Sequence, residues 1–254
     1  PPHTDGSVIG LFSSMKEADI DYSVNLPVMT KPEQVEKVNS SLIMQKEYFL
    51  DMKIITFGGM HPDYVNYKEE LLRLKQAGIP GIKLHPAYQN VDLDDIRMMR
   101  IIDEASSQGL ITLVHAGIDI GIYDHNYSSV AHILKLLKEV APKKLVLAHM
   151  GNWGCWKEVE SDLAGAPVYF DTAFSYGPIT PLPECSKAPY LPYNLHPDDF
   201  VRLARKHGTD KVLFGTDSPW EGQTDYVKRI SHMTFTKKEL EQILSENAKN
   251  LLTI

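Results

Sequence analysis

A chain of 254 residues with 43% hydrophobic side chains has the size of one large α/β barrel and the apolar content to build its own core. Its net charge of −7 is spread without long like-charge blocks. That balance argues against a broad nucleic-acid or anionic-membrane surface, and no apolar run approaches the roughly 20 residues that span a bilayer. The only two cysteines, Cys155 and Cys185, form no C-x-x-C pair, so a reducing compartment, the cytoplasm, is the expected setting. A small molecule is the expected partner, with no nucleic acid or membrane; a homodimer is an allowed assembly.

Taken in chain order, strand-like runs occur at Tyr22–Leu26, Ile54–Gly58, Gly81–Leu84, Ile111–Val114, Leu145–Ala148, Val168–Phe170 and Val212–Phe214. They are short, rich in Val, Ile and Leu, and barely alternate with polar residues, as parallel strands buried on both faces do. Helix-like stretches separate them. Val35, Val38 and Leu42 form one apolar stripe at helical spacing, and Ile133, Leu137 and Val140 another. Gly78, Gly109 and Gly208 follow such stretches as C-terminal stops, and Thr236 with Glu239 reads as a capping box.

Seven strands with intervening helices fit a (β/α)8 TIM barrel lacking its first strand, over a single domain 1–254. An open doubly wound sheet would show the same alternation. Ser7–Ala18 would be the first barrel helix without the strand before it. Because the chain opens on Pro1-Pro2 and its first regular element is a helix, the native polypeptide is expected to extend upstream by on the order of 10 residues, one short strand and its loop. Thr172 to Leu195 is Pro-rich and aperiodic; after a strand end, it reads as a lid.

Four of the apolar runs end in residues that bind metals: His115, His149, Asp171 and Asp217. In a parallel barrel the ends of the strands converge on one mouth. His115-Ala-Gly and His149-Met-Gly pair an imidazole, a good ligand for zinc and similar ions, with a glycine that would let the backbone turn sharply over a ligand. A carboxylate such as Asp217, following Leu-Phe-Gly-Thr, must be paired or bound to a cation if buried; a helix N-cap is its plainer role. Lys83 and His85 lie two apart on one strand and face the same side. An inward lysine has four uses: a salt bridge to Asp217, a carbamylated metal bridge, a hydrogen bond supporting a metal ligand, or a contact to a substrate carboxylate. His61 also closes a strand and is a substrate contact by position, as are His85 and, just beyond Asp217, Trp220, while Asp171 reads as a loop anchor. His3-Thr4-Asp5 reads as a loop. His125, His132, His207 and His232 fall where surface roles are expected.

The ordered set Gly-Met-His61-Pro, Gly-Ile-Lys83-Leu-His85-Pro, Val-His115-Ala-Gly, Ala-His149-Met-Gly-Asn, Phe-Gly-Thr-Asp217-Ser-Pro-Trp and Glu246-Asn-Ala-Lys-Asn-Leu-Leu resembles the amidohydrolase superfamily. The closest resemblance is to its amidohydrolase-related branch of TIM-barrel hydrolases and decarboxylases. The resemblance implies a divalent metal, usually zinc, bound by His115 and Asp217, with His149 as a further ligand or as catalytic acid/base. It also implies an H-x-H pair on a first strand, which this sequence does not contain before Ser7. The expected activity is therefore metal-dependent hydrolysis of an amide, lactone or ester through activated water, Asp217 or His149 accepting the proton. Two alternatives stand beside it: non-oxidative decarboxylation of an aromatic or unsaturated acid, and a truncated barrel without its metal.

Overall fold

The computed structural model describes residues 2–178 and 194–254. Its eight short strands are β1 Ser23–Asn25, β2 Ile54–Thr56, β3 Gly58–Gly59, β4 Gly81–Leu84, β5 Ile111–Val114, β6 Leu145–Leu147, β7 Tyr169–Asp171 and β8 Val212–Leu213. Every pairing is parallel: β1 with β2, and β3 through β8 in chain order. β2 and β3 are one strand interrupted at Phe57, whose N–H donates to the Asn25 carbonyl. The seven expected strands are thus all present, each within two residues of its expected bounds. The parallel sheet and its flanking helices form a (β/α)8-like barrel. Among the described residues no strand pairs with the outer edges of β1 and β8.

The helices are α1 Val8–Glu17, α2 Gln34–Asp51, α3 Tyr67–Gln76, α4 Pro86–Gln89, α5 Ile96–Ser107, α6 Val130–Glu139, α7 Trp156–Glu158, α8 Pro197–His207, α9 Gln223–Ser231, α10 Lys237–Glu241 and α11 Asn247–Leu252. Ser7 caps α1 through its side chain. Thr236 and Glu239 form both bonds of the capping box at α10.

The period of two residues along each strand sorts the side chains into two cores. Ile82, Leu84, Val114, Leu145, Leu147 and Phe170 point outward into the layer shared with the helices. Ile111, Leu113, Val146, Ala148 and Leu213 point inward and pack with Ile55, Phe57 and Leu251. Burial on both faces explains the unbroken apolar runs. Continuing the inward row along and beyond each run brings Lys83 on β4, His85 just after it, His115 after β5 and Asp171 on β7 to the barrel mouth. The same alternation that fills the barrel therefore delivers the polar residues.

Candidate functional site

At the mouth, three imidazoles stand in a row. The rings of His85 and His115 stack at 4.1 Å between centroids, and His149 meets His115 edge-on at 4.8 Å. All three are buried. His149 Nδ1 lies 2.8 Å from the Ala173 carbonyl, and its Nε2 lies 3.0 Å from His115 Nδ1. A carbonyl oxygen only accepts, so His149 carries its proton on Nδ1. Its Nε2 is then the acceptor, and His115 donates from Nδ1. This chain leaves a lone pair on His115 Nε2, which is buried and has no hydrogen-bond partner.

Burial drives the pKa of His115 well below the usual imidazole value, with His85, His149 and Lys83 adding repulsion. Burial likewise pushes His85 down to about 2, with Lys83 and His149 contributing. Both rings are neutral at ordinary pH, the state in which imidazole binds metals. His149 is positioned by its backbone. It adopts φ 61°, a left-handed conformation that costs a non-glycine residue on the order of 1 kcal/mol or more. The Asp171 carboxylate holds it there by accepting the N–H groups of His149 and Ala173 at 2.9 and 3.0 Å. Asp171 thus anchors the loop.

His85, His115 and Asp119 offer ligand atoms that all lie within 4.8 Å of one another. An orphaned, buried imidazole nitrogen beside a second imidazole and a carboxylate is a donor set that suits zinc or manganese. Asp119 escaped the sequence reading: it sits in the loop after His115-Ala-Gly, with no strand end to mark it. The N–H groups of Gly121 and Ile122 hold its Oδ1 at 2.8 and 3.2 Å, and Oδ2 faces His85 Nε2 at 3.8 Å. Burial raises its pKa against the pull of those N–H bonds.

A cavity of about 990 Å³ joins this group to the seam between β8 and β1, lined above by Lys83, His85, His115 and Asp217 and below by Val24 and Leu251. Lys83 is 8% exposed, and among the described residues it forms no ion pair within 4.0 Å. Burial lowers its pKa; Asp217 and then Asp171 push it back. Of the alternatives for Lys83, the salt bridge to Asp217 is therefore not formed within 4.0 Å.

Asp217 itself shares the cavity but is exposed and outside the three-residue group. It lies four residues past the last paired residue of β8. Of the set His115, His149 and Asp217 expected to hold a metal, the two imidazoles are neighbours and the carboxylate lines the same cavity. Trp220 lines the mouth half-exposed.

Several expectations fall differently. His61 is buried at the end of β3, outside the cavity lining, its Nδ1 accepting the Asp63 N–H at 3.2 Å. Gly117 and Gly151 do turn the backbone sharply, at φ 107° and 90°. Each also admits a neighbouring segment: a Cβ on Gly117 would lie 2.1 Å from the Trp153 nitrogen, and one on Gly151 2.7 Å from the Phe170 ring. His207 is buried, not superficial: it stacks on Phe170 at 3.6 Å and bonds Val168 and Gly165. His3 does lie in a loop, yet that loop lines the cavity. Of the expected lid, Thr172–Pro178 and Asn194–Leu195 are described, and the rest lies outside the described residues. Tyr176 packs on Phe200, away from the cavity.

A family model described as amidohydrolase matches residues 51–254. The chain belongs to the amidohydrolase family. Among solved structures it is similar to 2,6-dihydroxybenzoate decarboxylase from Rhizobium, at 16% identity and TM-score 0.69, covering 96% of this chain and 87% of that one. An uncharacterized TIM-barrel protein from Bordetella bronchiseptica aligns at 18% identity and TM-score 0.72, covering 97% and 83%. A 5-carboxyvanillate decarboxylase from Novosphingobium aromaticivorans, solved with bound manganese, aligns at 12% identity and TM-score 0.71, covering 96% and 80%. At these identities the likeness establishes the TIM-barrel fold. No curated protein matches the sequence. No helix among the described residues is long and apolar enough to cross a membrane.

Proposed function

We propose that the protein is a metal-dependent, non-oxidative decarboxylase of a small aromatic or unsaturated carboxylic acid. The carrying observation is Lys83: a buried amine on the cavity wall, beside the three imidazoles, with no carboxylate of the described residues within 4.0 Å. Burying a cation alone is costly, so such a group is ready to receive an anion. A substrate carboxylate placed there would restore the full charge of Lys83. The stacked pair of His85 and Tyr88, 4.0 Å between centroids, offers a flat wall for a planar acid. The manganese-bearing 5-carboxyvanillate decarboxylase, similar in fold, supports the same class of chemistry and makes manganese as good a candidate as zinc.

His115 Nε2, His85 and Asp119 would hold the divalent cation. When bound, it would supply charge stabilisation for the substrate's oxygens and its unsaturated system. His149 keeps His115 in the tautomer that presents Nε2, and Ala173 keeps His149 in its own. Lys83 binds and orients the departing carboxylate, and the apolar lower wall excludes water from it. Asp217 lines the cavity and also reaches solvent, which suits it to carry a proton between the two. The proton adds to the carbon bearing the carboxylate, and the carbon–carbon bond breaks. Its electron pair returns to the unsaturated system and carbon dioxide leaves. Asp217 then regains a proton from water.

The test is incubation of the metal-loaded protein with a panel of hydroxylated aromatic acids, following carbon dioxide release, with amides and lactones as controls. Metal-dependent carbon dioxide release that disappears in Lys83→Met is expected. Turnover confined to the amides or lactones would replace this reading by the hydrolytic one, in which the same cation activates water.

A further inference from the structure

We propose that Thr172 is a positioning residue for Asp217. Its hydroxyl extends the pairing of β7 with β8 past the last ladder rung and holds the segment that leads to this carboxylate. The role rests on the proton-carrying function proposed for Asp217.

The ladder between β7 and β8 ends at the pair Asp171 and Leu213, and the Thr172 N–H adds one bond to the Leu213 carbonyl at 2.9 Å. Beyond that point a side chain takes over. Thr172 Oγ1 donates to the Gly215 carbonyl at 2.8 Å and accepts the Gly215 N–H at 3.0 Å. A hydroxyl is both donor and acceptor, so it can serve both backbone groups of one residue, as a facing strand would. Thr172 is fully buried, away from competing water. Asp217 stands two residues further on.

The conformation of Asp217 calls for such a tie. The residue is exposed, yet it adopts φ 62°, a left-handed conformation that a non-glycine residue keeps only where its surroundings impose it. Past Asp217 the segment is held by the His3 N–H, which donates to the Pro219 carbonyl at 2.6 Å. Within the segment, the Trp220 N–H donates to the Asp217 carbonyl at 2.9 Å, and the Ser218 N–H to Thr216 Oγ1 at 3.3 Å. Before Asp217, among the described residues, no hydrogen bond from β7 or the loop after it reaches beyond Gly215. Thr172 thus supplies the tie on the barrel side.

Thr172 is itself fixed from the arc of imidazoles. Tyr226, fully buried on α9, donates its hydroxyl to the Thr172 carbonyl and accepts the Ser175 N–H at 3.2 Å. Ser175 Oγ in turn donates at 2.9 Å to the Ala173 carbonyl, the acceptor for His149 Nδ1. One turn after β7 therefore sets the imidazole row through Ala173 and the Asp217 segment through the Thr172 hydroxyl.

The test compares Thr172→Val, which keeps the shape of the side chain without its hydroxyl, with Thr172→Ser, which keeps the hydroxyl. In the full chain, amide exchange is read at Gly215, Ser218 and Trp220. Metal content is measured alongside, with steady-state turnover of the acid that the wild type decarboxylates fastest. In Thr172→Val, exchange at all three amides should quicken at least about tenfold while β4 to β6 stay protected. There kcat should fall about tenfold or more, with KM and bound metal unchanged. Thr172→Ser should restore both. In an Asp217→Asn background Thr172→Val should lower kcat no further, because the two changes act on one proton transfer. Wild-type exchange at Ser218 and Trp220 in Thr172→Val overturns the proposal. So does a fall in kcat that Thr172→Ser fails to rescue, or one that adds in full to the effect of Asp217→Asn. Loss of protection or of metal throughout the barrel would show a general structural role and overturns it equally. If the wild type decarboxylates none of the acids, the exchange measurements still decide whether Thr172 holds the segment, so failure of the proposed function and failure of this tie are told apart.

Discussion

The arc from β4 to β7 and the seam between β8 and β1 are built from the same kind of strand, yet they hold their functional residues differently. Along the arc, ladder pairing is continuous, and His85, His115, His149 and Asp171 are all buried and bonded to one another or to backbone. At the seam, β8 pairs among the described residues with a strand on one side. Its other side is met by the C-terminal helices: the Phe214 N–H donates to the Ile243 carbonyl, and the Asn247 amide donates to the Val212 and Thr209 carbonyls. Asp217, just beyond, is exposed. Ladder hydrogen bonds fix a residue at the end of a strand; side chains and helix ends fix it less. The arc thus supplies preorganised ligands and the seam a carboxylate able to reach solvent.

The largest break in this comparison should come from His115→Ala. It removes the orphaned Nε2 and the donor to His149 together. We expect loss of turnover with at least about a hundredfold weaker metal binding, read by elemental analysis and activity in parallel. Metal affinity equal to that of the wild type would mean that the imidazole row is only a packed core.

Asp217→Asn should separate the regions. If the seam carboxylate carries protons, turnover should fall by on the order of 10²–10⁴ while the metal bound at the arc is retained. Joint loss of metal would return Asp217 to the ligand role implied by the family resemblance.

The arc was the more legible region. Its strands could be read because apolar runs buried on both faces have no competing pattern, and their last residues followed by position. β4 and β5 fall where their runs begin and end. Asp119 was not legible, since its place depends on a loop held by Gly121 and Ile122 N–H groups, which no spacing encodes. His207 was misjudged because one helix position cannot reveal that the Phe170 ring waits opposite it. The seam was harder still. The apolar run before Asp217 suggested burial, but burial there depends on which strand lies alongside, a long-range fact absent from local sequence.

His207 tests the rigidity behind the arc. Burial, outweighing its bond to the Val168 carbonyl, pushes its pKa down to about 4 from an ordinary 6.5. The unfolded chain then binds more protons between those values, so stability falls as pH drops from about 6.5 to 4 and levels off below. The contribution is at most about 3 kcal/mol. Denaturant unfolding across this range should show that slope, and His207→Gln should reduce it. An unchanged slope in the variant would show that the imidazole is wetter than its stacking implies.

The smallest expected effect bears on the seam directly. Asn247 is buried, and its amide bonds the carbonyls of Val212 at 2.8 Å and Thr209 at 2.7 Å. For Val212 this bond lies on the side of β8 that no described strand occupies. Asn247→Ala would leave the Val212 carbonyl without this donor and the Thr209 carbonyl with only the Val212 N–H, and open a small void beneath α11, at a cost of about 2 kcal/mol. Because β7 still pairs with β8, the loss should be local: faster amide exchange at Leu213 and Phe214, with the exchange of β4 to β6 unchanged. The midpoint of denaturant unfolding should fall without a change in its slope. If exchange quickened equally around the whole barrel, the seam would be as tightly coupled as the arc, and the contrast between them would not hold.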